Sequence, residues 1–408
     1  VNMWLNNIGD VKVHEIMTKI IENTAAFKFV PLAYQIFSRL GNEHTGGGNN
    51  ALDNPQSPNV MFMKALSALV FKLCSHHPHH TLPQLFALVN QDSTAQQNGN
   101  LMLSRVHMAM SVLTKLRTFD AKLCCIVDAI DVMLKHYISL ANCSVEKLWK
   151  AGKTTGITFK ELQGREGFQD CIANVLSCSN NTRPCVLTAP PRLSVRIPST
   201  PNAFKQLASD YSTSSSMVHI IRFNDRFSMT ESGITRPKIV ECLGSDGHMY
   251  KQLVKGGDDT RQDAVMQQVF ANLNGTLMRD DATRKRQLSI RTYSIIPLTS
   301  QSGVIEWVEN TIPIGGYLCD KHPHSSRSKN IDSSDLHPTL GAHSRYYPND
   351  YTHYQCRDAL KELKDNQEKE RVFREVCSRF HPAFRFFFLE MFKDPAKWFS
   401  ARQAYTRN

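Results

Sequence analysis

The chain has 408 residues, enough for two or three domains with separate cores, and its 41% hydrophobic and 21% charged residues exclude global disorder. The formal net charge of +11 is compatible with anionic partners, yet Lys and Arg are scattered as on ordinary solvated faces and define no partner by themselves. Eleven cysteines, an odd number without CxxC spacing, argue against a disulfide framework and a zinc site and point to a reducing compartment. No run is long and apolar enough to span a bilayer, so no membrane is expected, and no signal peptide opens the chain.

In chain order, residues 1–150 read as antiparallel helices. Val13, Ile16, Met17 and Ile20 form one apolar stripe; Leu32, Ile36, Phe37 and Leu40 form another, entered by Pro31 near a first helical turn. Phe62 to Cys74, Leu82 to Val89 and the long run Leu101 to Leu140 continue the pattern, with Cys124 and Cys125 as small core residues. The stacking of helix pairs suggests a helical solenoid, although no strict repeat can be counted. His76, His77, His79 and His80 invite a metal reading, but Pro78 breaks the i,i+4 geometry that would bring two rings to one ion. A helix junction is expected there.

Residues 151–183 read as a linker, and from Pro184 the texture changes to strands. CVLTAPPRLSVRI, MVHIIRFN, RPKIVECLG and MYKQLVKG are short β-rich runs, with Gly244-Ser245-Asp246-Gly247 as a hairpin turn. After one helix come LSIRTYSIIPL and GVIEWVE, so a small antiparallel sheet with one helix is expected over 184–316. The basic cluster Arg284 to Arg286 is expected on a strand edge. The segment 317–344, rich in Ser and His beyond Asp320, has no periodicity and reads as a flexible insertion. Residues 345–408 return to helix, with Phe384, Phe388 and Phe392 as a core stripe and Asp394-Pro395 as N-cap and N1 of the last helix.

The stretch LVKGGDDTRQDAVMQQVF, Leu253 to Phe270, carries the chemistry. Leu253 and Val254 close a strand with Lys255 at its end; Gly256 and Gly257 make a turn free of side chains. Asp259 and Gln262 have capping-box spacing, and Met266, Val269 or Phe270, Leu273 and Leu277 share one helical face. A lysine at a strand end beside an aspartate-rich helix start suits phosphate binding, with Asp258 or Asp263 to fix it. It equally suits a structural lysine beside a well-capped helix. Neither G-x-G-x-x-G nor G-x-x-x-x-G-K-[ST] is present, which excludes the usual protein-kinase loop and the Walker loop.

The same stretch resembles the signature of the phosphatidylinositol 3-kinase-related protein kinases. ECLGSDGHMYKQLVKG, TRKRQLSIRTYSIIPLTSQSGVIEWVENTIPIG, RYYPNDYTHYQC and FKDPAKWFSARQAYTR resemble the ataxia-telangiectasia-mutated branch in order and spacing. FKFVPLAYQIFSRLG and SHHPHHTL resemble the end of that branch's FAT helical region. The resemblance implies an α+β chain: a FAT-like helical region, a kinase small lobe with its hinge, and the first helices of a large lobe. It implies that Lys255 contacts the ATP phosphates, that Asp258 and Asp263 set that lysine and line the inner pocket, and that Tyr293 lies beside them. It further implies that Glu306, Trp307 and Val308 form the hinge whose backbone meets adenine, and that Phe223 to Gly233 cover the phosphates, with Phe223, Asn224, Asp225, Arg226, Phe227 and Ser228 at the start of that loop.

Implied with the family are ATP and Mg2+ as cofactors and protein substrates phosphorylated at Ser or Thr followed by Gln. DNA-damage sensor proteins as partners, homodimerisation, a role in DNA repair and a nuclear location come with them. The family's catalytic loop, Gly-Asp-Arg-His then Asn, and its metal-binding activation segment are not in the chain, and the first residue is Val1. The expectation is a fragment of the kinase that does not catalyse alone, with no catalytic residues and no metal ligands of its own. The alternatives are a non-catalytic helical module that binds partners or competes for dimerisation, and a lipid kinase of the same superfamily.

Overall fold

The computed structural model describes residues 1–41, 57–90, 99–150, 156–162, 220–230, 235–244, 246–319, 340–361 and 363–407. Two compact units emerge: Val1–Thr276 with Thr292–Trp307, and Leu277–Arg291 with Val308–Asn408. The division differs from the sequence-based boundaries, because the early helices and the sheet share one core while the chain leaves and re-enters that unit around residues 277–291.

The first unit begins with α1 (Asn2–Asn6) and α2 (Val11–Asn23), the latter started by Asp10, whose carboxylate accepts the Lys12 N–H at 2.9 Å. The buried face of α2 is His14, Met17 and Ile21, whereas Ile16 and Ile20 are exposed. The expected stripe was out of phase for a specific reason. Trp4 Nε1 donates to His14 Nδ1 at 3.0 Å, His14 Nε2 donates to the Ile8 carbonyl at 2.6 Å, and the Trp4 ring packs on Phe62. A fully satisfied buried histidine rotates the helix away from a purely aliphatic face.

Two 3-10 turns then lead to α3 (Ala33–Phe37), where Ile36, Phe37 and the following Leu40 are buried as expected. α4 (Pro58–His76) and α5 (Pro78–Val89) meet at His77, so the histidine cluster is a helix junction. The run from Leu101 splits into α6 (Gly99–Phe119) and α7 (Ala121–Asn142) at Asp120, whose carboxylate accepts the Leu123 N–H at 3.0 Å. The short α8 (Glu146–Lys150) follows. No helix among the described residues is long and apolar enough to cross a membrane.

The sheet comprises β1 (Ile157–Thr158), β2 (Ile220–Met229), β3 (Lys238–Gly244), β4 (Met249–Gly256), β5 (Ile295–Pro297) and β6 (Ser302–Glu306). The order is β1-β2-β3-β4-β6-β5 and every pairing is antiparallel. The β3–β4 turn uses Gly247 at φ +83, whose N–H reaches the Gly244 carbonyl. The one long helix, α9 (Thr260–Arg279), connects β4 toward β5. The expected strand CVLTAPPRLSVRI and most of the 151–183 linker lie outside the described residues. LSIRTYSIIPL yields only the three residues of β5, because the Tyr293 N–H is taken by the Gln267 side chain at 3.1 Å instead of a neighbouring strand.

The second unit contains α10 (Asp281–Lys285), α11 (Ile314–Leu318), α12 (Ala342–Tyr346), α13 (His353–Lys361), α14 (Asn366–Ser378), α15 (Phe387–Met391) and α16 (Pro395–Arg407). The basic cluster Arg284 to Arg286 closes α10 and does not lie on a strand edge; Arg284 pairs with Asp281 one turn back. The two ends of the segment read as an insertion are helical, in α11 and α12, while residues 320–339 lie outside the described residues. The Phe384, Phe388 and Phe392 stripe is half-buried and not a closed core; Phe384 and Phe388 pack on Tyr405 of α16. α16 starts as expected, with the Asp394 carboxylate accepting the Lys397 N–H at 2.9 Å.

Candidate functional site

β4 ends at the site. Lys255 is opposite Gly303 of β6 and Gly256 opposite Ser302, so the strand's register places the lysine at the sheet's end. Its ammonium pairs with the Asp258 carboxylate, which holds the Asp258 carboxyl below the ordinary aspartate range. The Lys255 side chain is 21% exposed and that of Asp258 50%, so the pair is open to an incoming anion. Between them Gly257 adopts φ +73, a left-handed turn, and the Asp258 N–H donates to the Gln301 carbonyl at 3.1 Å.

Asp259 does cap α9, but its carboxylate is filled by Arg261: the backbone N–H at 3.0 Å, Nε at 2.9 Å and Nη2 at 2.8 Å. That bidentate fork lowers the Asp259 carboxyl and dedicates it to the helix start. Asp263 is exposed in the first turn of α9, and the carboxylate that meets Lys255 is that of Asp258. The expected partner pair thus separates into an ion-pair partner and a helix-start acid.

Tyr293 is half-buried and tied to α9 by Gln267. Glu306 exchanges backbone and side-chain bonds with Ser294: its N–H donates to the Ser294 carbonyl at 2.9 Å and its carboxylate accepts the Ser294 N–H at 2.8 Å. The Trp307 N–H donates to the Lys251 carbonyl at 3.3 Å, which commits that donor to the sheet. Val308 belongs to the second unit, where its carbonyl accepts from Thr311 Oγ1 at 2.9 Å.

Phe223, Asn224, Asp225, Arg226, Phe227 and Ser228 are not a loop. They lie inside β2, with Phe223 and Phe227 buried and Phe227 against Phe159. Pairing steps from Phe223↔Cys242 to Phe227↔Val240, so Asn224 to Arg226 bulge opposite Glu241, which accepts from Asn224 Nδ2 at 2.8 Å. Alternating buried aromatics made this a strand, and beyond it the Thr230 N–H donates to the Pro237 carbonyl at 3.0 Å. Residues 231–234 lie outside the described residues.

Sequence reasoning missed the support behind Lys255. Tyr137 of α7 donates its hydroxyl to Gln252 of β4, and Lys238 Nζ donates to the Ala141 carbonyl at 3.0 Å. RPKIVECLG holds Lys238, but a buried lysine in a strand has no local signature. Among the described residues no group of three or more His, Cys, Asp or Glu side chains converges for a metal ion.

Residues 249–408 match the family described as phosphatidylinositol 3- and 4-kinase. Over its full length the chain is 32% identical to serine-protein kinase ATM of Sus scrofa, covering 12% of that protein. It is 34% identical to serine/threonine-protein kinase tel1 of Neurospora crassa over 99% of the chain, again 12% of the relative. Its structure superposes on the complete CtTel1 dimer with C2 symmetry at a TM-score of 0.73, with 32% identity, 99% of this chain and 13% of that one covered. That match takes in the strand-end lysine and its acidic partner, and it places residues 249–408 in the phosphatidylinositol 3- and 4-kinase family. Along its length the chain is similar to the ATM and Tel1 serine/threonine-protein kinases, and it spans about an eighth of the length of those relatives.

Proposed function

We infer that this chain forms the nucleotide-binding part of a protein kinase that transfers the γ-phosphoryl group of ATP to serine or threonine. The observation that carries the reading is the Lys255–Asp258 pair at the end of β4, next to a turn whose Gly256 and Gly257 carry no side chains. ATP supplies the phosphoryl group; its bond to the leaving ADP oxygen breaks, a bond to the substrate hydroxyl oxygen forms, and the hydroxyl proton is released. Lys255 neutralises phosphate oxygens, and Asp258 aims its ammonium. Trp307 serves as an aromatic wall. Mg2+ would accompany the ATP phosphates, and among the described residues no group of three or more His, Cys, Asp or Glu side chains is placed to hold it.

The finer assignments rest on kinship with ATM and Tel1: Ser or Thr followed by Gln as the target, a role in the DNA-damage response with sensor proteins as partners, and a nuclear location. The CtTel1 dimer supports homodimerisation of the whole protein. The test is Lys255→Ala in the full-length protein, assayed on protein substrates, Ser-Gln peptides and phosphoinositide vesicles. Protein phosphorylation is expected to fall by about a hundredfold or more with the fold retained. Unchanged activity in the variant overturns the role of Lys255, and transfer to lipid alone overturns the protein-kinase reading.

A further inference from the structure

Side chains alternate across a strand, so β4 presents two faces. Gln252, Val254 and Gly256 share the face that meets the C-terminal end of α7; Lys255 belongs to the other. On the α7 side the fit is close. A Cβ on Gly256 would sit 2.4 Å from the Ala141 carbonyl oxygen, so that backbone approach requires glycine. The same oxygen accepts Lys238 Nζ at 3.0 Å, and Lys238 is the register neighbour of Val254 on β3. The Ala141 carbonyl is one of the last in α7, at the negative end of the helix dipole, and has no successor N–H within the helix. One oxygen thus accepts from the first residue of β3 and lies close behind the last residue of β4.

We propose that Lys238 is a positioning residue for the nucleotide site, pinning the start of β3 and the end of β4 to the C-terminus of α7, so that the helical region sets where Lys255 stands. The inference rests on the ATP-binding reading of that site.

Stability alone does not account for this lysine. It is 6% exposed, and burial pushes its ammonium down to about 8. Burying that charge, with the Ala141 carbonyl as its hydrogen-bond acceptor among the described residues, costs folding energy that a methionine of similar length would not. A residue that is costly for the fold and located behind the phosphate-binding strand fits a geometric role.

The experiment uses the full-length protein. Lys238→Met is expected to leave the thermal unfolding midpoint unchanged or raised, and to raise KM for ATP about tenfold, since small misplacements at a site are costly in rate and affinity. Lys238→Arg, which keeps the donor and the charge, is expected to recover most of the loss. A folded Met variant with wild-type KM overturns the proposal, as does an Arg variant no better than Met. Hydrogen exchange on the wild-type protein gives a reading independent of either variant's folding. MgADP is expected to slow exchange in residues 138–142 of α7 together with 252–256 of β4. Slowing confined to β4 overturns the pin, and no slowing in either segment overturns the nucleotide reading itself.

Discussion

In the first unit, the fully buried side chains Ile36, Leu66, Leu69, Leu116, Met133 and Tyr137 belong to one core that runs from the helices to Val240, Cys242, Val254 and Val304 of the sheet. The second unit buries Tyr317, Ala342 and Ala383 together, with Val376, His343 and Ser344 also buried, and elsewhere relies on polar and aromatic contacts at more exposed positions. Arg345 and Glu390 form a bidentate pair at 3.0 and 2.9 Å; Asp350 accepts from the His381 N–H at 2.7 Å and from its ring at 2.9 Å, and meets His343 Nε2 at 3.2 Å. His343 stacks on Phe380 with centroids 3.8 Å apart. The difference teaches where each unit is vulnerable: the first through volume, the second through charge and hydrogen bonding.

Four changes test that contrast, from the largest effect to the smallest. Leu69→Ala in the first unit is expected to cost about 2–5 kcal/mol, and Phe388→Ala in the second less than half the usual cost of a buried aromatic, or about 2 kcal/mol. Denaturant titration followed by unit-specific hydrogen exchange measures both; equal losses would erase the distinction. Arg345→Ala should cost the second unit about 1–2 kcal/mol, between the values for exposed and buried pairs, because Glu390 is left without its fork.

The third change is pH. Burial opposes ionisation of Asp350, but the His381 N–H and ring, with His343, outweigh it and hold the carboxyl below its ordinary range. A carboxyl depressed in the folded state stabilises it fully above its unfolded value and loses that contribution as pH falls through the folded one. Acid should therefore loosen the second unit below the usual aspartate range, and Asp350→Asn should flatten that limb; exchange rates of 340–361 against pH read it. The smallest effects are at the caps: Asp120→Ala in the first unit and Asp365→Ala in the second should each cost about 1 kcal/mol, since both carboxylates accept a backbone N–H three residues on. A cap loss far larger in one unit would mean that its helix depends on local bonds more than on packing.

Local bonds are what the sequence makes legible. The strand end at Lys255, the cap at Asp259, the junction at Pro78 and the Asp394-Pro395 start were readable because each depends on residues within four positions of one another. The aromatic stripe at Phe384 was also visible, but its half-burial was not. The exposed face of α9, with Met266 47%, Val269 43% and Leu273 44% exposed, shows again that periodicity specifies a face and not its cover.

By itself, then, the sequence determined the helical first part, the antiparallel run from β2 to β6, the identity of the strand-end lysine and the turn behind it, and through its motifs the kinase family. Tertiary structure alone decided that Phe223 to Ser228 pair as a strand, that α2 turns His14 inward, and that Lys238 reaches Ala141, 97 residues away. Capping and periodicity are short-range and written into neighbouring residues. Strand register and the partner of a buried charge depend on which distant surfaces close together, and no local pattern carries that information.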